Sequence, residues 1–317
     1  MNFNDYFNQL PPELTLTFAS AEENEELMKE IEVNQLVTQL GRGAFQCGVA
    51  ERTIDDVSLV SDRFNTAISV FIEPPKETIC LMMASAPDNE ISISGQTFDH
   101  DVMTILPSNY AVDMVSKGMC GSDSIMLSKA KFTQISQSVN PQSQAIDIAS
   151  HIRLNPAEAM FWRNSIVNGI NNGTDSESLD NMMSLYIARL TDGSDSNYSD
   201  LPIHLDKRIK VARQIRDYMQ EHHQQKISLD MLCLQMGISI RSLQRCFKDY
   251  FGCSILVYLQ ALRLKAVHKQ IIHNKQNHLS VSDIAMQHGF SHLGRFSTEF
   301  KKHFGISAKQ LQSSYLN

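Results

Sequence analysis

One helical pattern occurs twice near the C-terminus, and this repeat constrains the fold more than any other feature. The copies are residues 228–254 and 280–307, with one residue inserted in the second. In each, apolar residues at helical spacing flank a glycine, as in two short helices joined by a tight turn. The matched positions are Ser228 and Ser280, Leu232 and Ile284, Gln235 and Gln287, Gly237 and Gly289, Ser239 and Ser291, Leu243 and Phe296, Phe247 and Phe300, Lys248 and Lys301, Phe251 and Phe304, Gly252 and Gly305, and Ser254 and Ser307. The chain is therefore predicted to build one helix-turn-helix unit twice.

The second copy carries local signals for both of its helices. Ser280 is the expected N-cap of the first helix, and Gly289 is expected to end it with a positive φ. Ser291 is the predicted N-cap of the next helix, whose apolar stripe runs over residues 293–300. A glycine turn between helices is common in small helical bundles, so the duplication is what favours a helix-turn-helix.

The helix after each glycine turn has a polar face opposite its apolar face. Arginine can bind guanine bidentately, glutamine can bind adenine, and serine or threonine can contact either base. Lysines near the end of each helix are placed to bind phosphates. The alternative is an ordinary solvated helix face. The polar face occurs in both copies and lies in a basic region, which argues against this alternative. The candidate DNA-binding residues are Arg241, Ser242, Gln244, Arg245 and Lys248 in the first copy and His292, Gly294, Arg295, Ser297, Thr298 and Lys301 in the second.

The charge is divided unevenly along the chain. The formal net charge of -7 argues by itself against nucleic-acid binding. After residue 200, however, there are 17 Lys and Arg against 7 Asp and Glu, which leaves 11 and 28 in the first 200 residues. The basic part would supply the salt-dependent share of the affinity for phosphates. This asymmetry indicates a nucleic-acid-binding domain joined to a domain with another task.

These C-terminal residues resemble the DNA-binding domain of AraC/XylS-type transcription regulators. The likeness covers about the last 100 residues and departs from the family pattern at Ile255 and Ala308, where proline usually begins the next helix. The resemblance implies that two recognition helices enter successive major-groove segments about one turn apart, with DNA bending if their separation is shorter. The residues that carry it are Leu243, Gln244, Arg245, Cys246, Phe247, Lys248, Leu262, Arg263, Leu264, Lys265, Ala266, Asp283, Ile284, Ala285, Gly289, Phe290, Ser291, Arg295, Phe296, Phe300 and Lys301.

The two recognition helices are predicted to differ in readout. A long amphipathic helix over residues 255–272 would hold the units rigidly apart. The second unit has Gly294 where the first has Arg241. We therefore expect the first unit to dominate base specificity.

The first 200 residues contain short strand-like runs separated by turn residues, which indicates a small β-barrel or sandwich. Many AraC-type regulators have a cupin-like sensor barrel here, so the resemblance implies the same fold. The predicted class is α+β: an N-terminal cupin-like β-barrel or sandwich with flanking helices, then an all-α DNA-binding domain with two helix-turn-helix units. The predicted strands are residues 45–49, 66–72, 78–83, 90–94 and 103–107.

Domain boundaries follow from these patterns. Within the first segment, residues 22–32 are predicted as an acidic, solvated helix, with contact to another protein as the alternative. Residues 140–190 are predicted as mainly helical, with an interruption at 171–178. The predicted segments are an N-terminal extension (1–34), a sensor or dimerisation domain (35–191, β-rich to about 138 and then helical), a Ser/Asp/Asn-rich linker (192–202) and a DNA-binding domain (203–317) with helix-turn-helix units at about 228–251 and 280–304.

Catalytic and metal sites are not indicated by the sequence. Asp99, His100 and Asp101 are the one polar cluster, and a metal centre would need further ligands at matching spacing, so an exposed turn is favoured. The six cysteines show no zinc-binding spacing and are interpreted as reduced thiols. Phosphate-binding loops and nucleophile motifs are also lacking. We expect no enzymatic activity, metal or cofactor.

Residues 1–20 lack the basic start and apolar run of a secretory signal, and no window approaches 18 apolar residues. A cytoplasmic location without a membrane partner is therefore expected. The resemblance implies a regulator that binds double-stranded promoter DNA and activates transcription by contacting RNA polymerase. Its N-terminal domain would bind a small-molecule effector or form a homodimer. Two alternatives stay open, namely an enzymatic N-terminal domain and a purely protein-interacting one. The effector-binding residues, the effector and the operator are not specified by the sequence.

Overall fold

The computed structural model has a β-rich N-terminal part followed by a helical C-terminal part. It describes residues 5, 7–30, 33–86, 91–98, 101–108, 110–141, 150–191, 198–200, 207–274 and 279–315. The predicted linker lies outside the described residues except for 198–200. Asp99 and His100 of the polar cluster, and most of the predicted helical segment before residue 150, also lie outside them.

Two antiparallel sheets face each other in the N-terminal part. Within the described residues, the larger sheet has the order β1-β3-β4-β11-β6-β9-β12-β13 and the smaller has β2-β5-β10-β7-β8. Their facing sides share an apolar core that includes Phe64 and Met82 from one sheet and Val70 and Met114 from the other. This confirms the predicted barrel or sandwich. The strands are β1 (Thr15–Phe18), β2 (Asn34–Gln39), β3 (Cys47–Ile54), β4 (Val57–Phe64), β5 (Ile68–Glu73), β6 (Thr78–Ser85), β7 (Ile91–Ile93), β8 (Gln96–Phe98), β9 (Val102–Pro107), β10 (Val112–Ser116), β11 (Cys120–Ser128), β12 (Ser150–Arg153) and β13 (Tyr198–Asp200).

Helices cover the outer side of the larger sheet. Trp162 and Ile166 pack there against Leu81 and Ile125 in a second apolar core. The central strands are therefore buried on both faces, which explains the continuous apolar run of β6. The helices of the N-terminal part are α1 (Ala21–Glu30), α2 (Lys129–Val139), α3 (Pro156–Asn172) and α4 (Ser176–Thr191), with a short 3-10 turn at Pro12–Leu14.

Several details of the N-terminal prediction were wrong. Strand β11 ends at Ser128, and residues 129–139 are helical where the prediction was β-rich, because Ser128 caps helix α2 by accepting a hydrogen bond from the Lys131 amide. Ser150–Arg153 pairs with β9 as a strand, although its apolar spacing predicted a helix. Part of the predicted N-terminal extension forms β1, which pairs with β3 and belongs to the larger sheet.

The acidic helix α1 is not solvated as predicted. Glu22 is only 4% exposed, and Asn24 is buried on the same helix. Helix α1 packs beside β2. A buried carboxylate needs compensating partners, and these come from the C-terminal part, as described below.

The C-terminal part contains two separate apolar cores joined by one long helix. Tyr258 and Leu259 of helix α8 pack in the first core, and Val267 and Ile271 of the same helix pack in the second. Helix α8 therefore connects the two units as a continuous element, as predicted. The helices are α5 (Lys207–His222), α6 (Leu229–Met236), α7 (Ile240–Phe251), α8 (Ile255–His273), α9 (Val281–Gln287), α10 (Leu293–Phe304) and α11 (Ala308–Tyr315).

Within the described part of the chain, no helix is long and apolar enough to span a membrane. All six cysteines are among the described residues, and none forms a disulfide.

Candidate nucleic-acid interface

The first helix-turn-helix is encoded by residues local to it. Ser228 caps α6 by accepting a hydrogen bond from the Met231 amide at 3.2 Å. Gly237 ends α6 in the left-handed region with φ of 65°, a conformation that costs glycine little. Ser239 then caps α7 by accepting a hydrogen bond from the Ser242 amide at 3.3 Å. These contacts orient the recognition helix α7 against α6.

The second unit has the same design with a longer turn. Ser280 and Asp283 form a capping box at the start of α9, and Gly289 has φ of 81° in the turn. The predicted cap Ser291 was wrong, because α10 begins after His292, whose side chain makes no capping hydrogen bond. The residue inserted in this copy moves the helix start one position beyond Ser291.

Both recognition helices expose their polar face and bury their apolar face. Leu243 and Phe247 of α7, and Phe296 and Phe300 of α10, are each at most 2% exposed. The opposite faces are therefore exposed to solvent. The exposed candidate residues are Arg241, Ser242, Gln244, Arg245, Lys248, His292, Gly294, Arg295, Ser297, Thr298 and Lys301.

The two polar faces differ in what they can offer to a base. Arg245 lies 3.5 Å from Asp249, but both side chains are mostly exposed, so this pair is weak and leaves the guanidinium available. In α10 the Ser297 hydroxyl donates to the Leu293 carbonyl at 3.0 Å, and Thr298 donates to its own helix in the same way. Their donor capacity is thus used within the helix, which leaves α10 with less to offer a base edge.

Comparisons with known proteins place this site in a family. The helix-turn-helix domain family matches residues 232–314, which include both recognition helices. The probable thc operon regulatory protein of Rhodococcus erythropolis is 31% identical over 100 residues, 32% of this chain and 30% of that protein. The activator RhaS of Klebsiella pneumoniae is 25% identical over 174 residues, 54% of this chain and 60% of RhaS. The probable transcription factor PqrA of Proteus vulgaris is 33% identical over 88 residues, 28% of this chain and 70% of PqrA. The chain belongs to the AraC/XylS family of transcription regulators.

The likeness to these regulators is uneven along the chain. For the thc regulator and RhaS, the matched segment spans less than two thirds of the relative's length. All three relatives are named as transcription regulators, which supports a role other than catalysis.

In this AraC/XylS-family chain, one buried carboxylate connects the β-rich part to the first helix-turn-helix unit. Asp113 of β10, which is 1% exposed, accepts hydrogen bonds from Arg213 Nε at 2.8 Å and the Tyr250 hydroxyl at 2.9 Å. Arg216 also bonds Asp113. Both arginines lie on α5 and the tyrosine on α7, so β10 anchors two helices of the unit. Asp113 was not predicted from the sequence, although a single acid inside the apolar run of β10 is a signal for a buried charged partner.

Helix α1 makes the corresponding contact with the joining helix α8. Lys265 of α8 bonds the Glu25 carboxylate, and its Nζ donates to the Val37 carbonyl at 2.7 Å. Glu22 lies 3.4 Å from His268 Nδ1. Burial raises the pKa of Glu22, but the interactions with His268 and Lys265 outweigh it, so the net shift is downward. Glu25 and Glu22 thus contact Lys265 and His268 of α8 at the buried face of α1.

The second unit contacts the β-rich part through backbone groups near the end of α10. Gln39 Nε2 donates to the His303 carbonyl at 2.9 Å, and the Gly43 amide donates to the Lys302 carbonyl at 3.1 Å. Both helix-turn-helix units are therefore held against the N-terminal part.

The His303 side chain is buried at this contact, where burial disfavours its protonated form. Burial lowers the pKa of His303 to about 4, helped by the charges of His268 and Arg42 and opposed by Glu22 and Glu299. The unfolded histidine, with a pKa of about 6.5, binds a proton first, so stability falls as the pH drops from about 6.5 to about 4. We expect this group to cost about 3 kcal/mol of unfolding free energy over that range. Denaturant unfolding at several pH values should show a shallower decline for His303→Gln.

A matched control is His292→Gln, since His292 is exposed. Its stability should follow the wild-type pH dependence. Identical pH profiles for His303→Gln and wild type would contradict the assignment.

A cavity of about 270 Å³ lies between the two sheets. Most of its wall is apolar, but Asn24, Gln35, Asp62 and Ser122 also line it. The Ser122 hydroxyl donates to Asp62 Oδ2, whereas the buried Oδ1 has no hydrogen-bond partner among the described residues. Burial raises the pKa of Asp62 to about 6. No effector-binding residue was predicted from the sequence, where the polar stretch of β4 that contains Asp62 was the available signal.

Proposed function

We propose that this chain is a sequence-specific regulator that binds double-stranded promoter DNA through both helix-turn-helix units. The observation that carries the proposal is the pair of exposed polar faces on α7 and α10, joined by the continuous helix α8. Arg241, Gln244 and Arg245 would read base edges, and Lys248 and Lys301 would bind phosphates. The remaining candidate residues would support these contacts. The predicted domain boundaries, with a linker at residues 192–202, belong to the same proposal.

The proposal includes control by an effector bound in the cavity. Asn24 and Met28 of α1 line the cavity, while Glu22 and Glu25 of the same helix meet His268 and Lys265 of α8. A ligand that changes the position of α1 therefore also changes a contact with the helix that spaces the two units. Such a ligand must bind the active and inactive arrangements with different affinity.

Activation is the proposed outcome of DNA binding, because RhaS is named a transcriptional activator. We include contact with RNA polymerase, homodimer formation and a cytoplasmic location in the same proposal. The alternatives are an enzymatic and a purely protein-interacting N-terminal part. The partly polar cavity favours a ligand-binding domain over a purely protein-interacting one.

Arg245→Ala should weaken binding to a site selected from random DNA by about 1–3 kcal/mol and relax specificity at one base pair. Thr298→Ala should cost less than about 1 kcal/mol, because its hydroxyl donates to the Gly294 carbonyl. Fluorescence anisotropy on the selected site and on single-base variants measures both effects.

Lys248→Ala is the control for this comparison. It should weaken binding to all sequences about equally and reduce the salt dependence by about one phosphate contact. An equal or larger loss for Thr298→Ala would contradict the dominance of the first unit. Failure to select any preferred sequence would contradict sequence-specific binding itself.

A further inference from the structure

The cavity between the sheets has an acidic lining. Glu51 of β3 and Asp62 of β4 both line it, and the described residues of its wall include no Lys, Arg or His. Glu51 pairs with Val60, and Asp62 pairs with Val49, so the two carboxylates occupy neighbouring inward positions. Glu51 is exposed, which places it at the mouth, whereas Asp62 lies deeper. An anionic ligand would meet like charges on entry and no opposite charge inside.

Among the described residues, no ion pair joins the Asp62 side chain to a cation in the cavity wall. The neighbouring Arg63 has its guanidinium bonded to Asp123 at 2.8 Å and to the Asp62 and Ser122 backbone carbonyls. The Asp62 carboxylate itself has the Ser122 hydroxyl on Oδ2 and an unused acceptor at Oδ1. A buried carboxylate is stabilised by a cation that pairs with it and donates hydrogen bonds.

The rest of the cavity is suited to an apolar body of modest size. Its volume of about 270 Å³ is somewhat less than twice the roughly 150 Å³ of a cavity that binds benzene. Phe64, Met82 and Met114 contribute apolar wall, and methionine adapts readily to irregular shapes. The side chains of Asn24 and Gln35 are bonded to each other at 2.6 Å and add a neutral polar patch.

We infer that this cavity binds a small primary amine with an apolar body, whose ammonium group pairs with the Asp62 carboxylate. The inference rests on the proposed effector control and names the chemical class of the effector. Glu51 at the mouth attracts the same cation during entry, whereas carboxylic acids of equal shape are excluded by both acids.

The test compares phenethylamine, 2-phenylethanol and phenylacetate, which share one carbon skeleton and differ in charge. Hexylamine and hexanoate repeat the comparison with a flexible body. With the full chain at neutral pH, amines should raise the thermal unfolding midpoint by mass action, alcohols less, and acids not at all. Asp62→Asn should weaken amine binding about tenfold in calorimetry and leave alcohol binding nearly unchanged.

Asp56→Asn is the matched control, because Asp56 is an exposed acid in the neighbouring turn, and it should bind amines like the wild type. Asp62→Asn is expected to fold, since it removes a charge that burial disfavours. The inference fails if acids stabilise the protein as well as amines, if Asp62→Asn binds amines normally, or if neither amine stabilises the protein at millimolar concentration.

Anisotropy on the selected DNA site separates this inference from the proposed effector control. An amine that binds through Asp62 without changing DNA affinity supports the ligand class and contradicts effector control. A carboxylic acid that binds and changes DNA affinity supports effector control and contradicts the ligand class.

Discussion

Replacing Asp113 by alanine is expected to lower the free energy of unfolding by about 3–5 kcal/mol. The carboxylate is 1% exposed and lies between β10 and the first helix-turn-helix unit. It forms ion pairs with Arg213 and Arg216 and accepts a hydrogen bond from the Tyr250 hydroxyl. Removing it leaves Arg216, which is itself 5% exposed, without its main buried partner. An unpaired buried charge costs far more than the net value of the intact ion pair.

Urea unfolding with two probes measures both the size and the location of this effect. The single tryptophan, Trp162, is buried in the N-terminal part and reports on that part alone, whereas far-UV circular dichroism reports on the helices of both parts. In the wild type the two transitions should coincide, because the parts share buried polar contacts. In Asp113→Ala they should separate.

Asp217→Ala is the matched control. Asp217 also bonds Arg216, at 2.6 Å, but it is 61% exposed, so its loss should cost less than about 1 kcal/mol. Equal effects of the two variants, or coincident transitions in Asp113→Ala, would contradict the anchoring role of Asp113.

The helix-turn-helix repeat could be predicted from the sequence because its determinants are local. Ser228 and Ser280 each cap the helix that follows by accepting a hydrogen bond from an amide three residues further along, and Gly237 ends α6 by its own backbone conformation. The apolar stripes follow from helical spacing alone. Only the N-cap of α10 differed from the prediction, since the inserted residue moved the start of the helix to the position after His292.

Strands β4 and β11 were missed because they contain buried polar residues that bond to one another across the sheet. Arg63 bonds Asp123 at 2.8 Å, and Ser61 donates to the same carboxylate at 2.7 Å. In the sequence these residues look like turn residues, and their partners are about 60 positions away. Local composition contains no information about such pairing, so neither of these two strands was predicted.

Helix α1 shows the same limit for the candidate effector site. Its run of glutamates predicted a solvated surface, because acidic residues are seldom buried without partners. The partners, Lys265 and His268, lie more than 200 positions further along the chain. Neither the position of α1 between the cavity and α8 nor the acidic lining of the cavity could therefore be predicted from the sequence.

Phe247→Ala and Phe300→Ala are expected to disable one helix-turn-helix unit each. The two phenylalanines occupy matched positions of the repeat and are both fully buried. Phe247 packs with Phe251 and Tyr258 in the first core, whereas Phe300 packs with Phe296 and Phe304 in the second. Each truncation should lower the free energy of unfolding by about 3–5 kcal/mol. Because the two cores are separate, the loss of stability should stay within one unit.

Hydrogen exchange and footprinting together test this independence. Phe300→Ala should lose amide protection in α9 and α10 while α6 and α7 keep theirs, and the DNA footprint should shrink to the segment contacted by the first unit. Phe247→Ala should give the opposite pattern. The leucine variants at both positions should retain most protection and both halves of the footprint, because they keep most of the buried apolar volume. Loss of protection across both units in either alanine variant would mean that α8 couples the two cores into one folding unit. The protein would then read its two groove segments only as a single rigid body, and the duplicated sequence would not correspond to two separable readers.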